Sequence, residues 1–259
     1  MKIFFHRKQT FSNLFTLIGC LFIIACDHKE IEPTVPKGTF TFHLHTYLDN
    51  NEVDAYNIDY PTLDGRKIAL NIAQLYLSDI QLVKLDGSTV NLTGKKVFKV
   101  LDVETYMVGD APIGNYKSIR FKVGLDPTTN LLSPTNPSDS AFLNKPEMWF
   151  GNTAQPDGYV FMNVQGRIDT SAHKDKPLVP FAYKIGTNAH YTQVNMGDNP
   201  FTVEEGKTAY GHLAIDCNKL FNGISLNQLS NLSVKTASDN NSALATKIAN
   251  NIPAMFIYE

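Results

Sequence analysis

Nonpolar residues recur at every second position in several stretches of the chain, the pattern of a strand that buries one face. In the first stretch, residues 40–45, two phenylalanines and a leucine alternate with a threonine and two histidines. The same alternation occurs at residues 118–123, 160–168 and 209–217. The pattern predicts a strand in each of these four stretches.

Two further strands are predicted where the alternation is less regular. Residues 68–85 are long enough for an extended strand, which we expect to be broken near Asn71, and residues 97–103 predict a shorter one. The dipeptide Asp86-Gly87 between them is typical of a hairpin turn. Glycines at positions 65, 94, 109 and 114 separate the strands at the spacing of a sandwich or barrel.

One helix is predicted near the end of the sequence. Residues 240–251 carry nonpolar side chains at helical spacing, with Ser238 or Asp239 as the N-cap and Pro253 as the stop signal. No alternation of strands and helices and no duplicated half is visible. The predicted fold class is therefore all-β: an antiparallel β-sandwich with long loops and one short C-terminal helix.

A long irregular stretch, residues 125–158, interrupts the strands. It holds five of the thirteen prolines and the single tryptophan, Trp149, within the cluster Met148-Trp149-Phe150. Loops of this length in a compact domain are usually functional or disordered, and the nonpolar cluster favours a buried, ordered loop.

The N-terminus has the pattern of an export signal. Three basic residues, Lys2, Arg7 and Lys8, precede an apolar run at residues 14–25 that is too short to span a bilayer. The run ends at Cys26, after a small residue, as in a bacterial lipoprotein. We expect a signal peptide at residues 1–25, a lipid on Cys26, a tether at 26–37 and a domain at 38–259. The predicted location is the cell envelope, with the lipid anchor in the outer membrane and the domain periplasmic or surface-exposed.

Net charge and missing motifs argue against some classes of function. The chain of 259 residues carries a net charge of −2, and loss of the signal peptide leaves 20 basic against 25 acidic residues, a net of −5. Such a balance argues against nucleic acid as a partner. No nucleophile elbow, phosphate-binding glycine loop or zinc-protease motif is present. The sequence therefore predicts a binding protein, not an enzyme.

Histidines are the first candidate metal ligands. His43 and His45 stand two apart on a predicted strand, so their side chains leave the same face, and two imidazoles can hold a copper or zinc ion. A pair of solvent-exposed histidines remains the alternative. His212 is predicted to be a surface residue. His190 could reach a site only if its loop folds back.

Asp126 and Asn130 offer oxygen ligands on a predicted turn, which allows a calcium site. An Asp-Pro turn without a metal is the alternative.

Several segments, taken in order, resemble the MbnP-like family of copper-binding proteins. They are residues 40–42 (FTF), 75–82 (LYLSDIQL), Asp102, 114–121 (GNYKSIRF), 123–126 (VGLD) with Asn130, 148–149 (MW), 158–162 (GYVFM) with Gly166, 181–186 (FAYKIG), and 249–251 (ANN) with Phe256. The resemblance covers about residues 38–257.

The resemblance implies an all-β domain that binds one copper ion through histidines, with a nearby tryptophan oxidised to kynurenine. Trp149 would be that tryptophan. It also implies a di-haem peroxidase-like partner protein. The chain departs from the family pattern at Lys184, where a histidine is expected, and a protonated lysine is a poor copper ligand.

The copper ligands would then come from a substitute set, namely His43, His45, His190 and Met148. The sequence thus predicts a lipid-anchored protein that captures or handles copper. The alternative is a metal-free surface lipoprotein that binds a protein or glycan partner through residues 125–158.

Overall fold

The structure is a computed structural model that describes residues 36–92, 95–133, 140–151, 158–171 and 175–259. The signal peptide, the lipidation site Cys26 and nearly all of the tether lie outside the described residues. No helix among the described residues is long and apolar enough to cross a membrane.

Strands dominate the described part of the chain. They are β1 (Lys37–Leu48), β2 (Asn51–Glu52), β3 (Tyr60–Pro61), β4 (Lys67–Lys84), β5 (Thr89–Asn91), β6 (Val97–Lys99), β7 (Thr105–Pro112), β8 (Gly114–Val123), β9 (Val160–Ile168), β10 (Val179–Gly186), β11 (Thr192–Asn195), β12 (Phe201–Val203), β13 (Thr208–Asp216), β14 (Ser233–Val234) and β15 (Phe256–Tyr258). The helices are α1 (Pro127–Asn130), α2 (Ser140–Leu143) and α3 (Ala243–Asn251). Short 3-10 turns connect several of these elements.

The strands form two sheets. The small sheet has the order β15-β13-β1-β2, and β7 also pairs with β1. The large sheet has the order β11-β8-β4-β9-β10-β14, with β3, β5, β6 and β12 paired to β4 or β8. This arrangement confirms the predicted all-β sandwich. Most pairings are antiparallel, but β1 pairs with β13 in parallel, and so does β10 with β14.

The main core lies between the two sheets. Phe42 of β1 contacts Phe121 of β8 edge-to-face, with ring centroids 5.7 Å apart, and Phe121 contacts Phe256 at 4.9 Å. These side chains are almost fully buried, as the alternation along β1 and β8 predicts. Burial of such rings is the main source of stability in a sandwich of this kind.

A second hydrophobic cluster covers the outer face of the large sheet. Leu75 and Leu77 of β4 belong to the main core, whereas Tyr76 between them belongs to the second cluster. Successive side chains of a strand point to opposite faces, so the second cluster lies on the far side of the large sheet from the core. Its members are Tyr76, Leu125, Leu143, Met148, Trp149, Tyr159, Val160 and Phe161.

Three predicted boundaries change in the structure. The strand expected at 97–103 ends at Lys99, because the Lys99 ammonium donates to the carbonyls of Val100 (2.6 Å) and Val103 (3.2 Å) and holds the chain in a turn. The helix expected at 240–251 begins at Ala243, because Ser242, whose side chain accepts a hydrogen bond from the Ala245 amide, is its N-cap. The break expected near Asn71 is a register shift between Leu70 and Ile72 in β4.

Candidate metal centre

Two strands that lie far apart in the sequence bring three histidines onto one surface. β1 and β13 pair in parallel with His43 opposite His212, and His45 follows two positions later on β1. The neighbours Phe42 and Leu44 are fully buried in the core. Alternation along β1 therefore places both of its histidines on the outer face of the small sheet.

The three imidazoles are in contact. Nδ1 of His43 lies 3.2 Å from Nδ1 of His212 and 3.2 Å from Nε2 of His45. The His43 ring meets the rings of His45 and His212 edge-on, with centroids 4.5 Å and 5.1 Å away. His43 is thus the central ring of the group.

Three glutamates surround the imidazoles. Glu104 precedes β7 and is placed by its carbonyl, which accepts a hydrogen bond from the Leu44 amide at 2.8 Å. Its Oε2 lies 3.6 Å from Nε2 of His43 and 4.0 Å from Nε2 of His45. Glu52 of β2 is hydrogen bonded to Nδ1 of His45, and Oε1 of Glu259 lies 3.9 Å from the same nitrogen.

The surface is acidic apart from its histidines. Among the residues that the structure describes, no lysine or arginine lies within 4.0 Å of the Glu52, Glu104 or Glu259 carboxylates. Burial by itself lowers the pKa of His45, but the hydrogen bond to Glu52 and the charges of the three glutamates outweigh it, so the net shift is upward. The surface therefore attracts positive charge.

Two overlapping sets of side chains have the spacing of a metal site. In each set every residue offers one ligand atom, and these atoms all lie within 4.8 Å of one another. One set is His43, His45 and Glu259, and the other is His45, Glu52 and Glu104. Ligands that bind one ion at about 2.0–2.2 Å lie roughly 3–4 Å apart, so small side-chain movements suffice. Imidazole and carboxylate ligands suit zinc and copper.

The structure places the other predicted copper ligands elsewhere. His190 is buried after β10, where its Nδ1 lies 3.0 Å from the Gly186 carbonyl and 3.2 Å from Oδ1 of Asn240. Met148 belongs to the second cluster, on the far side of the large sheet, whereas the paired histidines lie on the outer face of the small sheet. Of the four copper ligands predicted from the sequence, only His43 and His45 therefore lie together.

Trp149 also belongs to the second cluster. It is 7% exposed, and its Nε1 donates a hydrogen bond to the Leu143 carbonyl at 3.0 Å. Lys184 lies on β10 of the large sheet, opposite Asn163 of β9. Neither residue is on the face that carries the imidazoles, so the tryptophan and the histidines do not form one site.

The calcium prediction finds no support. Asp126 is the N-cap of α1, where it accepts hydrogen bonds from the Thr129 amide at 2.9 Å and the Thr129 hydroxyl at 2.5 Å, and it pairs with Lys96 at 3.6 Å. Asn130 accepts a hydrogen bond from the Tyr159 amide at 2.9 Å and donates one to Asn188 at 3.0 Å. Both side chains hold the loop together, as in the alternative of a turn without a metal.

The loop at 125–158 also differs from a ready-made binding surface. In its described part, Leu125, Leu143, Met148 and Trp149 are buried in the second cluster. Leu131, by contrast, is 84% exposed. Met148 and Trp149 therefore pack against the large sheet and contribute to its stability.

Sequence reasoning missed four members of the candidate site. His212 was expected to be an ordinary surface residue, and no pattern singled out Glu52, Glu104 or Glu259. Local spacing identifies residues that share a face of one strand, but it does not tell which strand lies alongside. Only the pairing of β1 with β2, β7 and β13, and of β13 with β15, brings these side chains to the same place.

Comparison with known proteins identifies a family to which the sequence is similar. The sequence matches the family model described as MbnP over residues 37–239. Among solved structures, MbnP from Methylosinus trichosporium is similar, with 15% sequence identity, a TM-score of 0.48, and coverage of 73% of this chain and 78% of that chain. No curated protein matches the sequence.

Proposed function

Because the chain belongs to the MbnP family, we propose that it captures or handles copper and binds one copper ion at His43 and His45. The observation that carries the proposal is the contact between the two rings, with Nε2 of His45 3.2 Å from Nδ1 of His43. His212 adds a third imidazole at the same distance from His43.

Copper fits this set of ligands better than the hard cations do. Imidazole nitrogens favour copper and zinc over magnesium and calcium, and copper is the divalent first-row ion that nitrogen ligands bind most strongly. The acidic rim adds electrostatic attraction for a cation. Copper is also the metal that the family resemblance implies.

The proposed site differs from the one that the resemblance implies. Trp149 and Lys184 lie on the large sheet, away from the imidazoles. We therefore propose that copper binding here uses the outer face of the small sheet and needs no oxidised tryptophan.

The remaining parts of the proposal rest on the sequence. A lipid on Cys26 would anchor the domain in the cell envelope, with residues 26–37 as the tether. A di-haem peroxidase-like partner is an expectation from the family resemblance alone. We propose binding and not catalysis. The described thiol, Cys217, is fully buried, and burial raises its pKa to about 12, which leaves it a poor nucleophile.

The test is copper binding by purified protein and three variants. We expect one equivalent of copper on the wild type, measured by elemental analysis and by competition with chromophoric chelators of Cu(II) and of Cu(I). His43→Ala and His45→Ala should each weaken binding by at least about tenfold. His190→Gln is the control and should bind like the wild type.

A thermal melt of every variant checks that the fold is intact. If folded wild-type protein takes up no copper at micromolar concentration, the proposal fails. If His190→Gln is the variant that loses copper, the site has been assigned to the wrong face of the sandwich.

A further inference from the structure

Large nonpolar side chains lie beside the imidazoles on the outer face of the small sheet. Met107 of β7 and Tyr210 of β13 lie opposite Thr41 of β1, two positions before the first histidine. Ile257 of β15 shares a row of the sheet with His45. Residues paired across strands point to the same face, so these side chains and the imidazoles form one surface.

The nonpolar side chains of this face are open to solvent. Met107 is 74% exposed, and Tyr210 and Ile257 are each 49% exposed. Among the residues that the structure describes, none buries them. Burial of large nonpolar groups is favourable, so several of them exposed on one face are typical of a surface that contacts another molecule.

The charge of the face determines which kind of partner fits. Its carboxylates, which have no lysine or arginine within 4.0 Å among the described residues, belong to Glu52, Glu104 and Glu259. A cavity of about 310 Å³ beside His45 adds Asp54 and Asp102 to its wall. The buried ammonium of Lys99 also lines this cavity but donates to two backbone carbonyls. A surface rich in lysine and arginine is therefore complementary to this face.

We propose that the outer face of the small sheet docks a protein whose contact surface has a nonpolar centre within a ring of lysines and arginines. Met107, Tyr210 and Ile257 would make the nonpolar contacts, and the three glutamates would make the ion pairs. Docking itself does not need copper. Exchange of copper between the docked protein and the imidazoles rests on the function proposed above.

Charge argues against other occupants of the face. A second copy of the chain in a two-fold contact would bring the same three glutamates against the first three, and like charges repel. Residues 27–36 of the tether carry three acidic side chains and one lysine, so the face repels them as well. An anionic membrane surface is disfavoured for the same reason.

Docking and copper binding should oppose each other. A basic partner brings positive charge next to the proposed copper ligands, which disfavours a bound cation. Copper in turn neutralises part of the negative charge that attracts the partner. Thermodynamic linkage makes the two effects equal in size. Docking would therefore help to release the ion from the imidazoles.

The experiment measures docking of a defined basic protein to the metal-free protein. The probe is cytochrome c, whose contact surface has a nonpolar centre ringed by lysines, and its lysine-acetylated form is the matched control for charge. Calorimetry at low ionic strength should show a complex with cytochrome c that weakens as salt is added, and none with the acetylated form. Amide chemical shifts should move on β1, β7, β13 and β15.

Variants locate the contact. One triple variant removes the carboxylates of the face: Glu52→Gln, Glu104→Gln and Glu259→Gln. A second removes the same charge at exposed positions in connections between strands: Asp86→Asn, Asp175→Asn and Glu205→Gln. The first should weaken docking by at least about tenfold and the second by less than about threefold, because charges act mainly at short range in salt. Met107→Ser should weaken docking at every salt concentration, because its contact is nonpolar.

A thermal melt of every variant checks that it is folded. If cytochrome c does not bind at low salt, or shifts the amides of the large sheet instead, the docking proposal fails. Equal losses in the two triple variants also overturn it, because binding then depends on net charge alone.

Copper separates this proposal from the previous one. Copper-loaded protein should dock the probe several-fold more weakly than metal-free protein, and equal docking would overturn the linkage. A protein that docks the probe but takes up no copper overturns the proposed function and leaves the docking face standing.

Discussion

Nδ1 of His43 lies 3.2 Å from Nδ1 of His212, although 169 positions separate the two residues in the sequence. The parallel register of β1 and β13 sets them directly opposite each other. His212 is the more exposed of the two and contacts copper only if the ion sits on the β13 side of His43.

The first prediction follows from that contact. His212→Ala should weaken copper binding by less than about tenfold, a smaller loss than for His43→Ala, because His43 contacts both other rings and His212 contacts only one of them. Chelator competition measures the change. Tyr210→Phe is the control, since Tyr210 is the neighbouring exposed ring on β13, 5.7 Å from His212. Equal affinities for His212→Ala and the wild type would remove His212 from the site.

The second prediction concerns Trp149. Trp149→Phe removes the hydrogen bond from Nε1 to the Leu143 carbonyl and part of a buried ring, so the free energy of unfolding should fall by about 1–3 kcal/mol. Copper affinity should not change, because the tryptophan is on the large sheet. Urea denaturation and copper competition on the same variant check both statements. A loss of copper affinity without a loss of stability would return Trp149 to the metal site.

The third prediction concerns pH and Lys99. Burial lowers the pKa of the Lys99 ammonium to about 8, against an ordinary value near 10.5. Between these two pH values the unfolded chain binds the proton that the folded chain has lost, so the unfolding free energy rises with pH across this range. The rise contributed by Lys99 is at most about 3 kcal/mol.

The measurement compares wild type and Lys99→Met by urea denaturation at pH 7.5, 9 and 10.5. Wild-type stability should rise relative to the variant over this range, and the difference between the two curves cancels titration of other groups. Curves that stay parallel would show that Lys99 keeps an ordinary pKa.

The fourth prediction concerns Gly124, in the segment that resembles the family. Its φ is +120°, and a Cβ there would lie 2.5 Å from Cδ2 of Phe161. Gly124→Ala should therefore lower the unfolding free energy by about 2–3 kcal/mol through backbone strain and overpacking. Gly87→Ala is the matched control: its φ is +88° and nothing lies within 4 Å of the added carbon, so it should cost about 1 kcal/mol. Equal costs would mean that contact with Phe161 contributes nothing.

The sequence was most informative about the faces of strands. Alternation identified the buried rows of β1, β8, β9 and β13, because a core between two sheets selects nonpolar residues at a period of two. The same alternation placed His43 and His45 together. It carried no information about which strands pair. Neither the parallel pairing of β1 with β13 nor the position of His212 beside His43 could therefore be predicted.

The site residues that were missed have a common physical reason. Glu52 and Glu104 stand at strand ends or in connections, where acidic residues are ordinary. Their place in the candidate site depends on backbone contacts such as the hydrogen bond from the Leu44 amide to the Glu104 carbonyl. In contrast, Met148 was an attractive ligand on chemical grounds, and only its burial with Trp149 shows that it packs on the large sheet.

The parallel pairing of β1 with β13 has a consequence for the order in which the protein becomes functional. A chain emerging from the ribosome contains His43 and His45 long before His212 and Glu259 exist, and contacts between such distant segments form late in folding. A growing polypeptide therefore carries His43 and His45 without His212 and Glu259 beside them. We expect the copper affinity to reach its final value only after the small sheet has closed.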